Sequence, residues 1–153
     1  MDERVILLVE DNPDDVALTM RALQKNHILN PLVVVHDGQE AADFLFGGLP
    51  AGGHHGWPAP ALVLLDLNLP KIPGLELLQR LRADPRTRFV PVVVLTSSKE
   101  DQDLLASYRL GANSYVRKPV DFSQFNEAVR TLSLYWLLLN EPPPPQDVAV
   151  GLN

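Results

Sequence analysis

Apolar residues in this chain come in short unbroken runs: "VILLV" at 5–9, "LVVV" at 32–35, "ALVLL" at 61–65, "VPVVVLT" at 90–96 and "SYV" at 114–116. A strand exposed on one face alternates apolar and polar side chains, whereas a strand covered on both faces is apolar throughout. These runs therefore predict five buried strands of a parallel sheet. The segments between them carry helix signals. Asp11 or Asn12 can cap a helix that has Pro13 in its first turn and runs to about Asn26. Gly74 opens another that reaches Ala83, one beginning near Ser98 stops at Gly111 and Ala112, and the last starts after Asp121 and continues to about Leu139. Alternating strands and helices joined by right-handed crossovers give an α/β domain: a three-layer, doubly wound, five-stranded parallel sheet in the flavodoxin-like order 2-1-3-4-5.

Two segments break the alternation. "GGLPAGGHHGWPAPA" at 47–61 is longer than most helix-to-strand connections, and its His54 and His55 have neither a cysteine nor a spaced third histidine with which to hold a metal. "EPPPPQDVAVGLN" at 141–153 is too rich in proline for a helix. The expected organisation is one globular domain over 1–140 and an extended arm over 141–153.

The final helix has more apolar surface than one sheet needs. Phe122, Phe125, Val129, Leu132, Trp136 and Leu139 follow the spacing of one buried face, but Leu134, Tyr135, Leu137 and Leu138 lie outside that stripe. The run is too short to span a bilayer, so a second protein surface is expected over it, most simply a second copy in a homodimer.

Charge narrows the function. Thirteen Lys and Arg against nineteen Asp and Glu give a formal net charge of −6, with a pI near 5.1. Such a surface has no electrostatic reason to collect on nucleic acid or anionic lipid. With no cysteine there are no disulfides, thiolate metal sites or cysteine nucleophiles. The amino-terminal "MDERVILLVED" holds only a five-residue apolar run, which predicts neither a signal peptide nor a membrane span. The expected location is the cytoplasm.

The candidate chemistry lies where the strands end. In a doubly wound sheet the carboxyl ends of the strands open onto one crevice, and the polar residues there are Glu10 and Asp11 after the first run, Asp66 after the third, Thr96 closing the fourth and Lys118 after the fifth. Three close carboxylates repel one another unless a cation holds them, and a small all-oxygen set suits Mg2+. With a phosphoryl group present, the metal and Lys118 neutralise its oxygens, Thr96 donates a hydrogen bond, and one carboxylate serves as nucleophile to form an aspartyl-phosphate. Asp66 is the candidate nucleophile, because it ends the most apolar run just before Pro70, Pro73 and Gly74 turn the chain away.

"LLVEDNPDD", "LVLLDLNLPKIPGLELL", "PVVVLTSS" and "GANSYVRKPVDF", in that order and each at a strand's end, resemble the receiver domain of two-component response regulators across roughly residues 4–138. The resemblance implies Asp66 as phosphoacceptor and Glu10 and Asp11 as the acidic pair, with Asp11 the more direct Mg2+ ligand. It adds the backbone carbonyl of Asn68 to the metal ligands, places Thr96 and Lys118 on the phosphoryl group, and makes Tyr115 the switch aromatic. Glu10 stands where many receivers have Asp. The implied donor is a sensor histidine kinase, and "YWLLLNEPPP" resembles the extension of single-domain receivers that work with phytochrome-type kinases. The function expected is that of a stand-alone, non-enzymatic phosphoacceptor signalling through protein contacts. A phosphate-independent adaptor would share the fold. A flavin carrier fits poorly, since "EDNPDD" repels phosphate, and a phosphohydrolase fits poorly, since it wants an acid where Asn68 stands.

Overall fold

The computed structural model describes residues 4–47, 59–119 and 121–144. Five parallel strands, β1 (Ile6–Val9), β2 (Leu32–Val35), β3 (Leu62–Leu65), β4 (Val92–Thr96) and β5 (Ser114–Arg117), form one sheet in the order β2-β1-β3-β4-β5. The connections are α1 (Pro13–Lys25), α2 (Gly38–Phe46), α3 (Gly74–Ala83) and α4 (Asp101–Arg109), and α5 (Phe122–Ser133) follows β5. His54, His55 and the arm beyond Pro144 lie outside the described residues.

Successive side chains of a strand point to opposite faces, and the sheet is covered on both. Leu7, Val9, Val63, Leu65 and Val92 pack with Ala41, Ala42 and Leu45 of α2 and Leu77, Leu78 and Leu81 of α3. Ile6, Leu8, Leu62, Leu64, Val93 and Leu95 pack with Ala22 and Leu23 of α1 and Phe125 and Val129 of α5. Every residue of β1, β3 and β4 is buried, and each such aliphatic side chain contributes about 1.5–3 kcal/mol on leaving water. That double coverage is why the strands read as unbroken apolar runs.

Side-chain caps start three of the helices: Asn12 accepts from the Asp14 and Asp15 N–H groups, Asp37 from Glu40 N–H and Asp121 from Ser123 N–H. α4 begins at Asp101 rather than near Ser98. The Ser98 hydroxyl donates to Asp103 Oδ2 and accepts from Glu100 N–H, holding 98–100 in a turn ahead of the helix. Gly111, at φ 101°, turns the chain after α4 in a conformation that side chains with a Cβ disfavour.

The end of α5 differs from the expected single stripe. Leu134–Leu139 is π-helical, and its wider turn shifts the phase of the side chains. Leu132, Trp136 and Leu137 pack against the α1–α5 core, whereas Leu139 is 73% exposed. Tyr135 and Leu138 are 48% and 70% exposed, and Leu134 is half-buried.

Candidate functional site

Strand register assembles the site. Val9 pairs with Leu65, so Glu10 and Asp66 leave adjacent strands side by side, and the ladder continues through them: Glu10 N–H donates to Val35 O and Asp66 N–H to Val9 O, each at 3.0 Å. Thr96 pairs with Arg117, and the following Lys118 N–H donates to Thr96 O at 2.8 Å. Beyond Asp66 the chain doubles back so tightly that a Cβ on Gly74 would lie 2.5 Å from the Asp66 carbonyl oxygen. Only glycine allows α3 to start this close beneath the acid.

Asp66 is 6% exposed and each of its oxygens has a donor. The Thr96 hydroxyl donates to Oδ1 at 2.8 Å, Asn68 N–H to the same oxygen at 3.2 Å, and Lys118 Nζ to Oδ2 at 3.2 Å. Lys118 Nζ also donates to Glu10 Oε1 at 2.5 Å and Asp15 Oδ2 at 2.7 Å, while Glu10 Oε2 accepts from Asn12 N–H at 3.2 Å. Asp11 is exposed at the mouth, and oxygens of Glu10, Asp11 and Asp66 lie within 4.8 Å of one another.

The electrostatics follow from this crowding. Burial, reinforced by the charge of Asp66, pushes the Glu10 carboxyl up to about 7 against the opposing bond from Lys118. Burial pulls the Lys118 ammonium down, but its bonds to Asp15 and Glu10 and the charges of Asp66 and Glu10 outweigh this and raise its pKa. Three carboxylates, Glu10, Asp15 and Asp66, share the Lys118 ammonium, and Asp11 adds a fourth acid beside Glu10 and Asp66, so that the negative charges of this cluster exceed the one positive charge by three when all are ionised. A hard divalent cation fits such a donor set: the three clustered oxygens could ligate it, and the open side at Asp11 leaves room for waters.

The structure thus brings Glu10, Asp11, Asp66, Thr96 and Lys118 to one rim, with Asn68 adjoining it through its N–H. Tyr115 stands one step away. Its hydroxyl donates to Ser98 O at 3.4 Å, and Ser98 N–H donates to Thr96 Oγ1 at 3.3 Å, so both side chains hold the same loop. Leu134, Tyr135, Leu137 and Leu138 belong to the end of the α5 region, apart from this cluster. Sequence reasoning missed Asp15 and Ser98. The signal for Asp15 was the Asn12 cap, which fixes the first turn of α1 and thereby aims the second of two adjacent acids at the rim.

A family model described as the response regulator receiver domain matches residues 6–130. The probable methanogenesis regulatory protein FilR2 of Methanothrix harundinacea is 41% identical over 144 residues, 94% of this chain and 90% of its own length. Response regulator Rcp1 of Synechocystis is 38% identical over 134 residues, 88% of this chain and 89% of its own. Its Mn2+-bound crystal structure superposes with a TM-score of 0.81 at 37% identity, covering 92% of this chain and 99% of that one. The phosphorylated cyanobacterial phytochrome response regulator RcpA superposes with a TM-score of 0.83 at 37% identity, covering 93% and 99% of the two chains.

Proposed function

The chain belongs to the response regulator receiver domain family, and on that premise we propose that Asp66 accepts a phosphoryl group from a sensor histidine kinase, with Mg2+ in the site, and that the modified protein signals through altered protein contacts. The observation that carries this reading is the surround of Asp66: a buried carboxylate at a strand's end with a hydroxyl on one oxygen and an ammonium on the other.

In the transfer, an Asp66 oxygen forms a bond to phosphorus as the P–N bond of the donor's phosphohistidine breaks and the imidazole leaves with the electron pair. Lys118 and Thr96 are placed to hydrogen-bond the arriving phosphoryl oxygens. Glu10, Asp11 and Asp66 would hold the cation, with the Asn68 carbonyl completing the protein ligands, and the cation supplies charge neutralisation at the phosphoryl group. As the Thr96 hydroxyl turns from Asp66 to the new group, the Ser98 loop moves with it and Tyr115 changes its contact, which makes Tyr115 the switch.

The kinase is of phytochrome type on this reading, supported by the likeness to Rcp1 and RcpA. The match extends over 90% of FilR2 and 89% of Rcp1, and that likeness supports signalling through the receiver's own protein contacts. Residues 1–140 form the receiver unit and 141–153 an arm, with Tyr135, Leu138 and the half-buried Leu134 as the homodimer contact. Leu139 joins them and Leu137 supports them from behind. Among the described residues no helix is long and apolar enough to cross a membrane, and the protein works in the cytoplasm beside the kinase's phosphodonor.

Incubation with acetyl phosphate and Mg2+, read by intact mass, tests the assignment. Wild type should gain one phosphoryl group, and Asp66→Asn or added EDTA should prevent it. Undiminished labelling of Asp66→Asn moves the acceptor elsewhere, and an unlabelled wild type leaves a phosphate-independent adaptor.

A further inference from the structure

Asp15 has no part in the reaction outlined above, yet it makes the second-shortest contact in the cluster. Lys118 Nζ lies 2.5 Å from Glu10, 2.7 Å from Asp15 and 3.2 Å from Asp66. Ordinary bonds between ammonium and carboxylate run about 2.7–2.9 Å, so the bond to Asp66 is the long one. An ammonium has three donors, and all three are committed here. Lys118 is drawn toward the β1–α1 side of the rim and away from the acceptor.

The position of Asp15 is fixed. Its N–H donates to Asn12 Oδ1 at 3.2 Å and its carbonyl accepts from the Thr19 hydroxyl at 2.8 Å, so the first turn of α1 holds it in place. It is also the most open of the lysine's partners: its side chain is 25% exposed, against 3% for Glu10 and 7% for Asp66. Unlike those two, it is not among the clustered oxygens that could ligate a cation. An acid in the first turn of a helix usually acts only on the helix dipole. Asp14 occupies the same turn, is exposed, and makes no contact with Lys118 that the geometry records.

We propose that Asp15 is a positioning residue that holds Lys118: it keeps the ammonium's bond to Asp66 the longest of the three before phosphorylation and retains the ammonium when a divalent cation takes over the oxygens of Glu10 and Asp66. The kinetic half of this inference rests on the function proposed above, and the metal-binding half does not. Two consequences of opposite sign follow. Without the Asp15 carboxylate, Lys118 clings to the very oxygens the cation needs, and metal binding weakens. Once metal is saturating, Lys118 no longer has to leave Asp15 to meet an incoming phosphoryl oxygen, and labelling becomes faster.

The test uses Asp15→Asn, Asp15→Glu and Asp14→Asn in the full chain, each checked for native circular dichroism. Mn2+ affinity is measured by electron paramagnetic resonance with no phosphodonor, and the rate of labelling by acetyl phosphate at saturating Mg2+. For Asp15→Asn we expect affinity to fall about fivefold and labelling to rise about fivefold, a change typical of losing one partly buried ion pair. Asp15→Glu should restore most of both, and Asp14→Asn should stay near wild type. If Asp15→Asn leaves both quantities within about twofold of wild type, or if Asp14→Asn matches it, the inference is overturned. A wild type that binds Mn2+ but takes no label sinks the phosphoacceptor reading instead, and the affinities still decide the role of Asp15.

Discussion

β1 and β3 are buried at every residue, whereas β5 is nowhere fully buried and α4 buries only Ser107. α4 exposes Leu105 and Tyr108 by half, has at its cap position Glu100 no side-chain capping bond, and leaves the buried Ser107 hydroxyl without a partner among the described residues. The two regions meet at the rim: the first supplies Glu10 and Asp66, the second Lys118 and Tyr115. On the function proposed, the group to be held still stands on the most tightly packed strands, and the groups proposed to respond stand on or beside elements with fewer buried contacts, which open at lower cost.

Core truncation should show the difference most strongly. Leu65→Ala removes a fully buried side chain directly behind the acceptor and should cost about 2–5 kcal/mol in denaturant unfolding. Leu105→Ala, on the exposed side of α4, should change stability by about 0.5 kcal/mol or less. Comparable losses from the two would mean that the edge is packed as firmly as the centre.

The tight centre carries an electrostatic cost that the edge does not. Burial raises Glu10 from 4.5 in an unstructured chain to about 7. The folded protein therefore holds that proton in a range where the unfolded chain has lost it, and the contribution of Glu10 to stability falls as pH rises from about 4.5 to about 7. Below this window the two states are equally protonated, and above it the penalty is complete. Metal-free protein should show this decline in a series of denaturant midpoints, and Glu10→Gln should flatten it. A slope unchanged in Glu10→Gln would assign the titration to another group.

The fold was legible because a strand covered on both faces shows as an unbroken apolar run, and "ILLV" and "LVLL" are such runs. The candidate site's cluster was legible because the doubly wound sheet brings every strand end to one rim, so Glu10, Asp66, Thr96 and Lys118 could be joined without knowing their distances. Asp15 was not, since its contact with Lys118 spans 103 positions and depends on which of two adjacent acids the Asn12 cap turns inward. Nor was the packing of Leu137 on the core and the exposure of Leu139, because a regular helical spacing carries no sign of the π-helical turn that shifts their phase.

The account's central claim, a fixed acceptor read by a yielding edge, is tested most directly by hydrogen exchange with mass spectrometry, before and after phosphorylation with acetyl phosphate and Mg2+. Amides of β1 and β3 should be strongly protected in both states, with the change in exchange concentrated in residues 97–117, from the Ser98 loop through α4 to β5. A change spread evenly over the sheet, or one centred on β1 and β3 with α4 and β5 unaltered, would contradict it.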